Sequence, residues 1–332
     1  MSTRVYRPFG LSFAAGCATA LLVLECLLHA FAGKSASAAG TKQRWYREGL
    51  ATSHFSPNGL RLTGNAPVAG APAVLVLGDS KVEALQVSDR ETMGSVLERR
   101  LRTSGRPWNV QEYGWSGANG PDFVFAASWI DRTFHPQTVF IVVDARDFVL
   151  TTAVARLRED ADGVTAEPIG PGARPGRPAE SGGSLLRRLK TSGLLYASAM
   201  RLILDVLPRL RPAEPGGRAD ADASQSASDR VVDLVLHALV QAYGNKLVMV
   251  YAPDQPFSQT PPEPDEGSLS VACARAHAAC LDLRQAMMAD LEGRHELTRG
   301  FTNTPPGLGH LNAAGHELAA GAMYDWLAAH RP

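Results

Sequence analysis

The chain has 332 residues, 45% of them hydrophobic, and carries 33 lysines and arginines against 33 aspartates and glutamates. This composition is typical of a globular protein with a substantial core. Because the charges balance and no basic stripe occurs, the electrostatics give no indication of nucleic acid or another anionic polymer as a partner.

An apolar segment over residues 9–32 follows Arg4 and Arg7 near the N-terminus. It is long enough for a helix to cross the roughly 30 Å hydrocarbon core of a bilayer. The positive flank favours a cytoplasmic N-terminus and an exported remainder. We therefore predict a signal anchor over residues 1–33, a single pass of the cell inner membrane and a periplasmic domain. Cleavage near residues 35–38, which would give a secreted protein, is the alternative.

Residues 34–72 are polar, and we interpret them as a stalk and lead-in. Apolar strands and amphipathic helices then alternate over residues 73–332, which we assign to one domain. The alternation is interrupted at about residues 155–228, where Gly, Pro and charged residues are frequent. We interpret this stretch as an insertion into the domain.

Apolar runs in the domain predict five strands, over residues 73–77, 108–113, 138–144, 246–251 and 280–283. The stretches between them predict helices, the first over residues 88–101, because Ser88 and Glu91 match a capping box. Continuous apolar strands separated by helices are typical of a parallel sheet covered on both faces. The predicted fold class is therefore α/β, a three-layer α/β/α sandwich with a five-stranded parallel sheet.

Two cysteines fall within the domain, Cys273 near the end of a predicted helix and Cys280 at the start of the last strand. In an oxidising periplasm a disulfide would pin these two elements together. Two buried thiols are the alternative. The histidines away from the C-terminal motif are isolated and no zinc-type spacing occurs, so the sequence predicts no metal site and no cofactor.

A serine and a histidine stand at positions that suit nucleophilic catalysis. The first strand ends in Gly78-Asp79-Ser80, which places a hydroxyl on a tight turn before a helix, and His310 comes just before the last helix. Serine early and histidine late is the order expected of a hydrolase or acyltransferase on an open α/β sheet. Ser80 is the candidate nucleophile and His310 the candidate base. Structural roles, a helix cap for the serine and a capping or core imidazole for the histidine, are the alternatives.

Two further motifs follow the next strands. Gly114 comes after the second strand, and Arg146-Asp147 comes after the third. Together with Gly78-Asp79-Ser80 and His310, these motifs have the order found in the GDSL/SGNH hydrolase superfamily. The chain resembles this superfamily over about residues 59–329, apart from the insertion, and most resembles its membrane-anchored or periplasmic branch. Members of that branch deacylate or O-acetylate surface polysaccharides and other secreted glycans. The resemblance implies a flavodoxin-like SGNH hydrolase fold, with the backbone N–H groups of Ser80 and Gly114 as oxyanion donors.

Two positions depart from the pattern of the superfamily. Arg146 stands where an asparagine usually completes the oxyanion hole, and Gly307 stands where an aspartate usually orients the histidine. Arg146 is either a charged oxyanion donor or an ion-pair partner of Asp147. Without a carboxylate at position 307, we expect Ser80 and His310 to act as a dyad, which loses stabilisation of the imidazolium.

Two functions follow from these observations. The first is a membrane-tethered, extracytoplasmic serine esterase or O-acetyltransferase that acts on an acylated carbohydrate, a surface polysaccharide or a small ester. The second is a catalytically weakened relative that binds a glycan or an envelope-assembly protein in exopolysaccharide or cell-envelope biosynthesis. Arg146 and Gly307 favour the second function, whereas Ser80 and His310 favour the first. Trp115 is either a platform for a sugar ring or part of the core.

Overall fold

The computed structural model describes residues 34–37, 40–45, 48–152, 154–161, 163–169, 221–254 and 264–330, with five isolated residues before residue 25. Nearly all of the predicted anchor and most of the predicted insertion therefore lie outside the described residues. Among the helices that are described, none is long and apolar enough to cross a membrane.

The strands and helices alternate along the domain. The described strands are β1 (Lys34–Ser37), β2 (Gly40–Trp45), β3 (Ala51–Phe55), β4 (Ala73–Gly78), β5 (Asn109–Gly114), β6 (Thr138–Val143), β7 (Ala155–Asp160), β8 (Gly163–Pro168), β9 (Leu247–Tyr251) and β10 (Ala279–Asp282). The described α-helices of the domain are α1 (Ser80–Glu83), α2 (Met93–Thr103), α3 (Gly120–Phe134), α4 (Ala221–Tyr243), α5 (Glu266–Arg275), α6 (Arg284–Arg294) and α7 (Ala313–His330). One turn of 3-10 helix covers Ala145–Asp147.

Five strands form a central sheet in the order β10-β9-β6-β4-β5, and every neighbouring pair is parallel. Numbered along the chain, this order is 2-1-3-4-5, which is that of a flavodoxin-like doubly wound sheet. The predicted α/β class with a five-stranded parallel sheet is confirmed. The strand order reverses between β4 and β6, and in such sheets ligands bind beyond the carboxyl ends of the strands at that point.

The core lies on both faces of the sheet because side chains alternate along each strand. Leu75 and Leu77 of β4 pack with α3, α4 and α5, whereas Val74 and Val76 pack with α2, α6 and α7. β6 is buried at every position, which explains why its sequence is continuously apolar rather than alternating. The helices thus form the two outer layers around the sheet.

The first long helix begins later than predicted. Ser88 and Glu91 do bond to each other, with the Ser88 hydroxyl 2.6 Å from Glu91 Oε2, but they do so in a turn before the helix. Helix α2 starts at Met93, after Thr92 as N-cap. The Met93 N–H donates to His316 Nδ1 at 3.2 Å, so a residue from the last helix satisfies a donor at this end.

The described start of the predicted insertion is a β-hairpin. Strands β7 and β8 pair antiparallel over six residues each. The Val164 N–H donates to Gln241 Oε1 at 2.9 Å, which ties the hairpin to α4. Its strands are partly exposed and β7 is rich in charged residues, so neither strand is an apolar run and the sequence indicated no strand here.

The polar lead-in is attached to the domain through Arg61, whose side chain is 1% exposed. Its Nη1 donates to the carbonyls of Glu83 and Ala84 at 2.8 and 2.9 Å, and its Nη2 donates to the Val87 carbonyl at 2.8 Å. Nε contacts Asp89 Oδ1 at 2.8 Å. These charged hydrogen bonds hold the lead-in directly against the turn that follows α1.

The two cysteines of the domain, Cys273 and Cys280, form a disulfide that connects α5 to β10. The loop that it closes is short, with a sequence separation of 7 residues. In the loop-entropy model, closing such a loop stabilises the fold by about 2 to 3 kcal/mol.

Glu112 of β5 is fully buried. Its Oε1 accepts the Gly94 N–H at 3.2 Å. Burial raises the pKa of Glu112 to about 7, against lowering contributions that include the Arg61 charge and the Gly94 hydrogen bond. A carboxyl with a raised pKa stabilises the fold below its ordinary value of 4.5, and this stabilisation is lost as pH rises through 7.

We therefore expect Glu112→Gln to flatten the pH dependence of stability. The unfolding free energy of the wild type should fall, relative to the variant, by about 2 to 3 kcal/mol between pH 5 and pH 8, since each pKa unit corresponds to about 1.4 kcal/mol. Urea denaturation of both proteins at the two pH values measures this difference. A constant difference between the proteins would show that Glu112 does not titrate in this window.

Candidate active site

The nucleophile turn lies at the carboxyl end of β4. Asp79 caps α1 by accepting the Lys81 N–H at 2.8 Å, and Ser80 is the first residue of the helix. A Cβ at Gly78 would approach Val82 Cγ2 to 2.5 Å, so glycine is needed for this tight return of the chain. Ser80 is thereby placed at the reversal of strand order, where sheets of this type bind ligands.

Ser80 and His310 lie within hydrogen-bonding distance across this edge. Ser80 Oγ is 3.1 Å from His310 Nε2, although the residues are 230 positions apart in the sequence. On the far side of the ring, His310 Nδ1 is 2.6 Å from Glu48 Oε2. The other oxygen of that carboxylate accepts the His310 backbone N–H at 2.6 Å. The three side chains form a continuous hydrogen-bonded series, Ser80–His310–Glu48, in the order nucleophile, base and acid that is expected of a catalytic triad.

Glu48 corrects the expectation of a dyad without a carboxylate. It comes from the lead-in between β2 and β3, and it is 5% exposed. A Cβ at Gly309 would lie 1.9 Å from Glu48 Oε1, so the glycine before His310 makes room for the carboxylate. Asn303 accepts the N–H of the next residue, Gly49, at 2.8 Å and anchors the segment. Nothing in the sequence pattern connects residue 48 with residue 310, and the polar composition of the lead-in concealed it.

Gly307, at the position where the superfamily has its aspartate, has a φ of 73°. This is the left-handed region that glycine occupies at least cost. The loop before His310 therefore turns at this residue, and the carboxylate reaches the imidazole from a different segment.

Gly114 does not line the cavity next to Ser80, contrary to its expected role as an oxyanion donor. A Cβ there would meet the Glu83 nitrogen at 2.1 Å, so this glycine allows β5 to pack against the backbone of α1. Gly117, with a φ of 84°, does line the cavity. Within the described part of the chain, the N–H groups of Ser80 and Gly117 have no hydrogen-bond acceptor. These two are the candidate oxyanion donors.

Arg146 does not pair with Asp147. Its Nη2 contacts Asp144 Oδ2 at 2.9 Å and Asp254 Oδ2 at 2.6 Å, and its side chain is 70% exposed. The predicted ion pair with Asp147 is therefore wrong, because the partners of Arg146 are Asp144 and Asp254. Arg146 lines the same cavity as Ser80.

A buried ion cluster that the sequence analysis missed lies beneath the site. Lys81 is 2% exposed, and its Nζ lies 2.8 Å from Asp144, 3.1 Å from Asp79 and 3.4 Å from Asp147. Burial opposes its charge, but the three carboxylates outweigh this effect and hold the pKa of Lys81 above its usual range. Burial raises the pKa of Asp147 above its ordinary value, and the charge of Lys81 opposes this rise. The cluster joins the carboxyl ends of β4 and β6.

Trp115 belongs to the core, since it is 8% exposed. Its ring packs against Tyr113 and Phe123, with centroid distances of 5.4 and 5.3 Å. The alternative of a sugar platform does not fit this burial.

The cavity that Ser80, His310 and Glu48 line has a volume of about 440 Å³. Its lining residues are Glu48, Asp79, Ser80, Lys81, Gly117, Ala118, Asn119, Arg146, Asp147, Asp254, Arg299, Leu308, Gly309 and His310. Apart from Ala118 and Leu308, these side chains are polar or charged or are the hydrogen of glycine. The cavity therefore suits a polar ligand.

No protein-family model matches the chain, and no curated protein matches it. It is similar to solved structures that include an acetyl xylan esterase, AlAXEase, with 13% identity, a TM-score of 0.41, and 77% of this chain and 99% of the other covered. A lipase/acylhydrolase from Enterococcus faecalis matches with 14% identity, a TM-score of 0.41 and coverage of 77% and 95%. A member of the lipolytic G-D-S-L family from Veillonella parvula DSM 2008 matches with 9% identity, a TM-score of 0.39 and coverage of 77% and 97%.

The activity is inferred from the residues of the site and not from these similarities.

Proposed function

We propose that this chain is an SGNH-type serine ester hydrolase in which Ser80 is the nucleophile, His310 the base and Glu48 the acid. The observation that carries the proposal is the hydrogen-bonded series from Glu48 through His310 to Ser80, which opens on a polar cavity. The transfer of the acyl group to a sugar hydroxyl, rather than to water, would use the same residues and belongs to the same proposal.

The mechanism follows from the different partners of the two ring nitrogens of His310. The Glu48 carboxylate accepts a hydrogen bond from the Nδ1–H group, which keeps the ring proton on Nδ1 and leaves Nε2 free to accept the proton of the Ser80 hydroxyl. Ser80 Oγ attacks the ester carbonyl carbon, and the tetrahedral oxyanion receives hydrogen bonds from the Ser80 and Gly117 N–H groups. The proton then passes from Nε2 to the leaving alkoxide, and the acyl group stays on Ser80.

The second half of the reaction repeats these steps with another nucleophile. Water or an acceptor hydroxyl gives its proton to Nε2 and attacks the acyl carbonyl, and Ser80 Oγ leaves with that proton. The Glu48 carboxylate stabilises the imidazolium in both halves.

The lining of the cavity supports a short acyl group on a polar alcohol. A long acyl chain gains binding energy by burying its methylenes, at about 0.8 kcal/mol for each. Among the described lining residues, only Ala118 and Leu308 have apolar side chains, so this part of the cavity offers a long chain little of that gain. An acetylated carbohydrate, or a small ester resembling one, is the substrate class that we propose.

We also propose that the domain works outside the cytoplasm, on a signal anchor over residues 1–33. The apolar stretch 9–32 and the Cys273–Cys280 disulfide support this location, because disulfides persist in oxidising compartments. A role in envelope assembly through a protein partner is compatible with that location.

The alternative function, a catalytically weakened glycan-binding protein, rested on Arg146 and on the missing aspartate at position 307. The carboxylate of Glu48 removes the second reason, because it contacts the imidazole directly. Arg146 is then the remaining reason for the alternative function. It is a weak reason, because the N–H groups of Ser80 and Gly117 are two candidate oxyanion donors that do not depend on residue 146.

The proposal predicts turnover of p-nitrophenyl esters by the full chain in mild detergent, with a preference for short acyl groups. We expect kcat/KM for the acetate to exceed that for the octanoate by at least about tenfold, since a discrimination of that size corresponds to about 1.4 kcal/mol. Ser80→Ala provides the background rate. Octanoate as the better substrate would contradict the short-acyl proposal, and no turnover above the Ser80→Ala background would contradict the esterase.

A further inference from the structure

We infer that Arg146 and Asp254 together form a subsite that binds hydroxyl groups on the alcohol part of the substrate. This inference rests on the proposed esterase function and adds to it the residues that select the alcohol. It also gives Arg146 a role other than that of the asparagine at this position in the superfamily.

The guanidinium of Arg146 is held in a fixed orientation. Its Nη2 lies 2.9 Å from Asp144 Oδ2 and 2.6 Å from Asp254 Oδ2. The backbone N–H of Arg146 also donates to Asp144, at 2.8 Å. No hydrogen bond to Nη1 occurs within the described residues, and the side chain is 70% exposed at the cavity that contains Ser80. Arg146 thus lines the cavity of the nucleophile with two Nη1 N–H donors to which no described residue bonds.

Asp254 places an acceptor next to these donors. Its side chain is 33% exposed, and Oδ1 lies 3.4 Å from Arg299 Nη1, which is a long contact for an ion pair. A sugar hydroxyl both donates and accepts, so two neighbouring hydroxyls can bond to a guanidinium and a carboxylate that lie side by side. Because Asp144 and Asp254 already hold the arginine, little side-chain entropy is lost when the substrate binds.

The charges around the pair favour a neutral polyol over an anionic group. The Arg146 guanidinium already contacts two carboxylates, and Glu48 and Asp79 line the same cavity. Lys81 and Arg299 also line the cavity, so a carboxylate or phosphate on the substrate would meet these four negative groups against three positive ones. Uncharged hydroxyls incur no such repulsion.

A subsite and an oxyanion donor differ in the substrates that they affect. An oxyanion donor stabilises every ester in the transition state, whatever its alcohol, and its loss lowers kcat. A group that contacts only the alcohol part changes KM for esters that carry hydroxyls there. Two acetate esters with different alcohols therefore separate the two roles.

The experiment compares p-nitrophenyl acetate with mono-O-acetylated methyl glucosides, galactosides and mannosides, using the full chain. We expect Arg146→Gln and Asp254→Asn each to raise KM for the cleaved glycosides about tenfold, which is the effect of losing one hydrogen bond to a charged group. The rise in KM should be about tenfold larger for the glycosides than for p-nitrophenyl acetate, since the alcohol of that ester has no hydroxyl to contact. Arg156→Gln is the matched control, because this exposed arginine pairs with Glu167 at 3.2 Å outside the cavity.

Four results would overturn the inference. An equal loss of kcat on both kinds of ester would assign Arg146 to the oxyanion. Unchanged kinetics on all of the esters would leave the pair a purely structural ion pair. Cleavage of p-nitrophenyl acetate without any glycoside, or a preference for acetylated uronates that Arg146→Gln removes, would contradict the neutral polyol. Failure of the wild type on every ester, relative to Ser80→Ala, would instead remove the esterase function itself.

Discussion

Ser80→Ala and His310→Ala are each expected to lower kcat for ester hydrolysis about a millionfold, because each removes a group without which no acyl-enzyme forms. Ser80 Oγ and His310 Nε2 lie 3.1 Å apart and act as one unit. The measurement is burst and steady-state turnover of p-nitrophenyl acetate by the full chain.

The double variant, Ser80→Ala with His310→Ala, tests whether the two residues act in the same step. It should be no slower than either single variant, since two residues that act in one step are strongly non-additive. Thermal melts of all three variants should match the wild type within a few degrees, as both side chains are only partly buried. Single variants that retain a tenth of the wild-type rate would contradict the assignment of nucleophile and base.

Glu48→Gln is expected to lower kcat about ten-thousandfold, which is the size of effect seen when the third member of such a triad becomes an amide. The geometry gives a specific reason. Oε1 accepts the His310 backbone N–H, which can only donate, so the amide oxygen of the glutamine must face that N–H. The amide nitrogen then faces Nδ1 and forces the ring proton onto Nε2, which can no longer accept the Ser80 proton.

Glu112→Gln is the matched control for this prediction. It makes the same chemical change at another buried glutamate, whose Oε1 bonds to the Gly94 N–H and which does not line the cavity. At pH 6 its turnover of p-nitrophenyl acetate should equal that of the wild type. Equal turnover of Glu48→Gln and Glu112→Gln would show that the carboxylate beside His310 has no part in the reaction.

Much of the fold was predictable because the three middle strands of the sheet, β4, β6 and β9, are apolar runs between turn residues. β4 and β6 are buried on both faces, so their sequences carry a strong signal, and they lie within one residue of the predicted ranges. The hairpin β7–β8 gave no such signal because its strands are partly exposed and only four of their twelve residues are apolar. The first N–H of α2 bonds to His316, which lies 223 residues away in the sequence, and no local pattern indicates such a partner.

The site was predictable where chemistry and local geometry coincide in one short motif. Ser80 and His310 each stand beside a turn and a helix, and the structure brings them together. Glu48 has no local motif, and only the folding of the lead-in against the loop before His310 makes it part of the series. The positions of Gly114 and Gly117 likewise depend on tertiary packing. Gly114 packs against the backbone of α1, whereas Gly117 lines the cavity.

The measurement that tests the central claim most directly is the rate at which a fluorophosphonate labels the full chain, with the adduct located by peptide mass spectrometry. The account predicts a single adduct on Ser80, together with labelling rates that fall at least about a thousandfold in both His310→Ala and Glu48→Gln. Labelling that is absent in the wild type, or that proceeds at the wild-type rate in Glu48→Gln, would contradict a Ser80–His310–Glu48 triad.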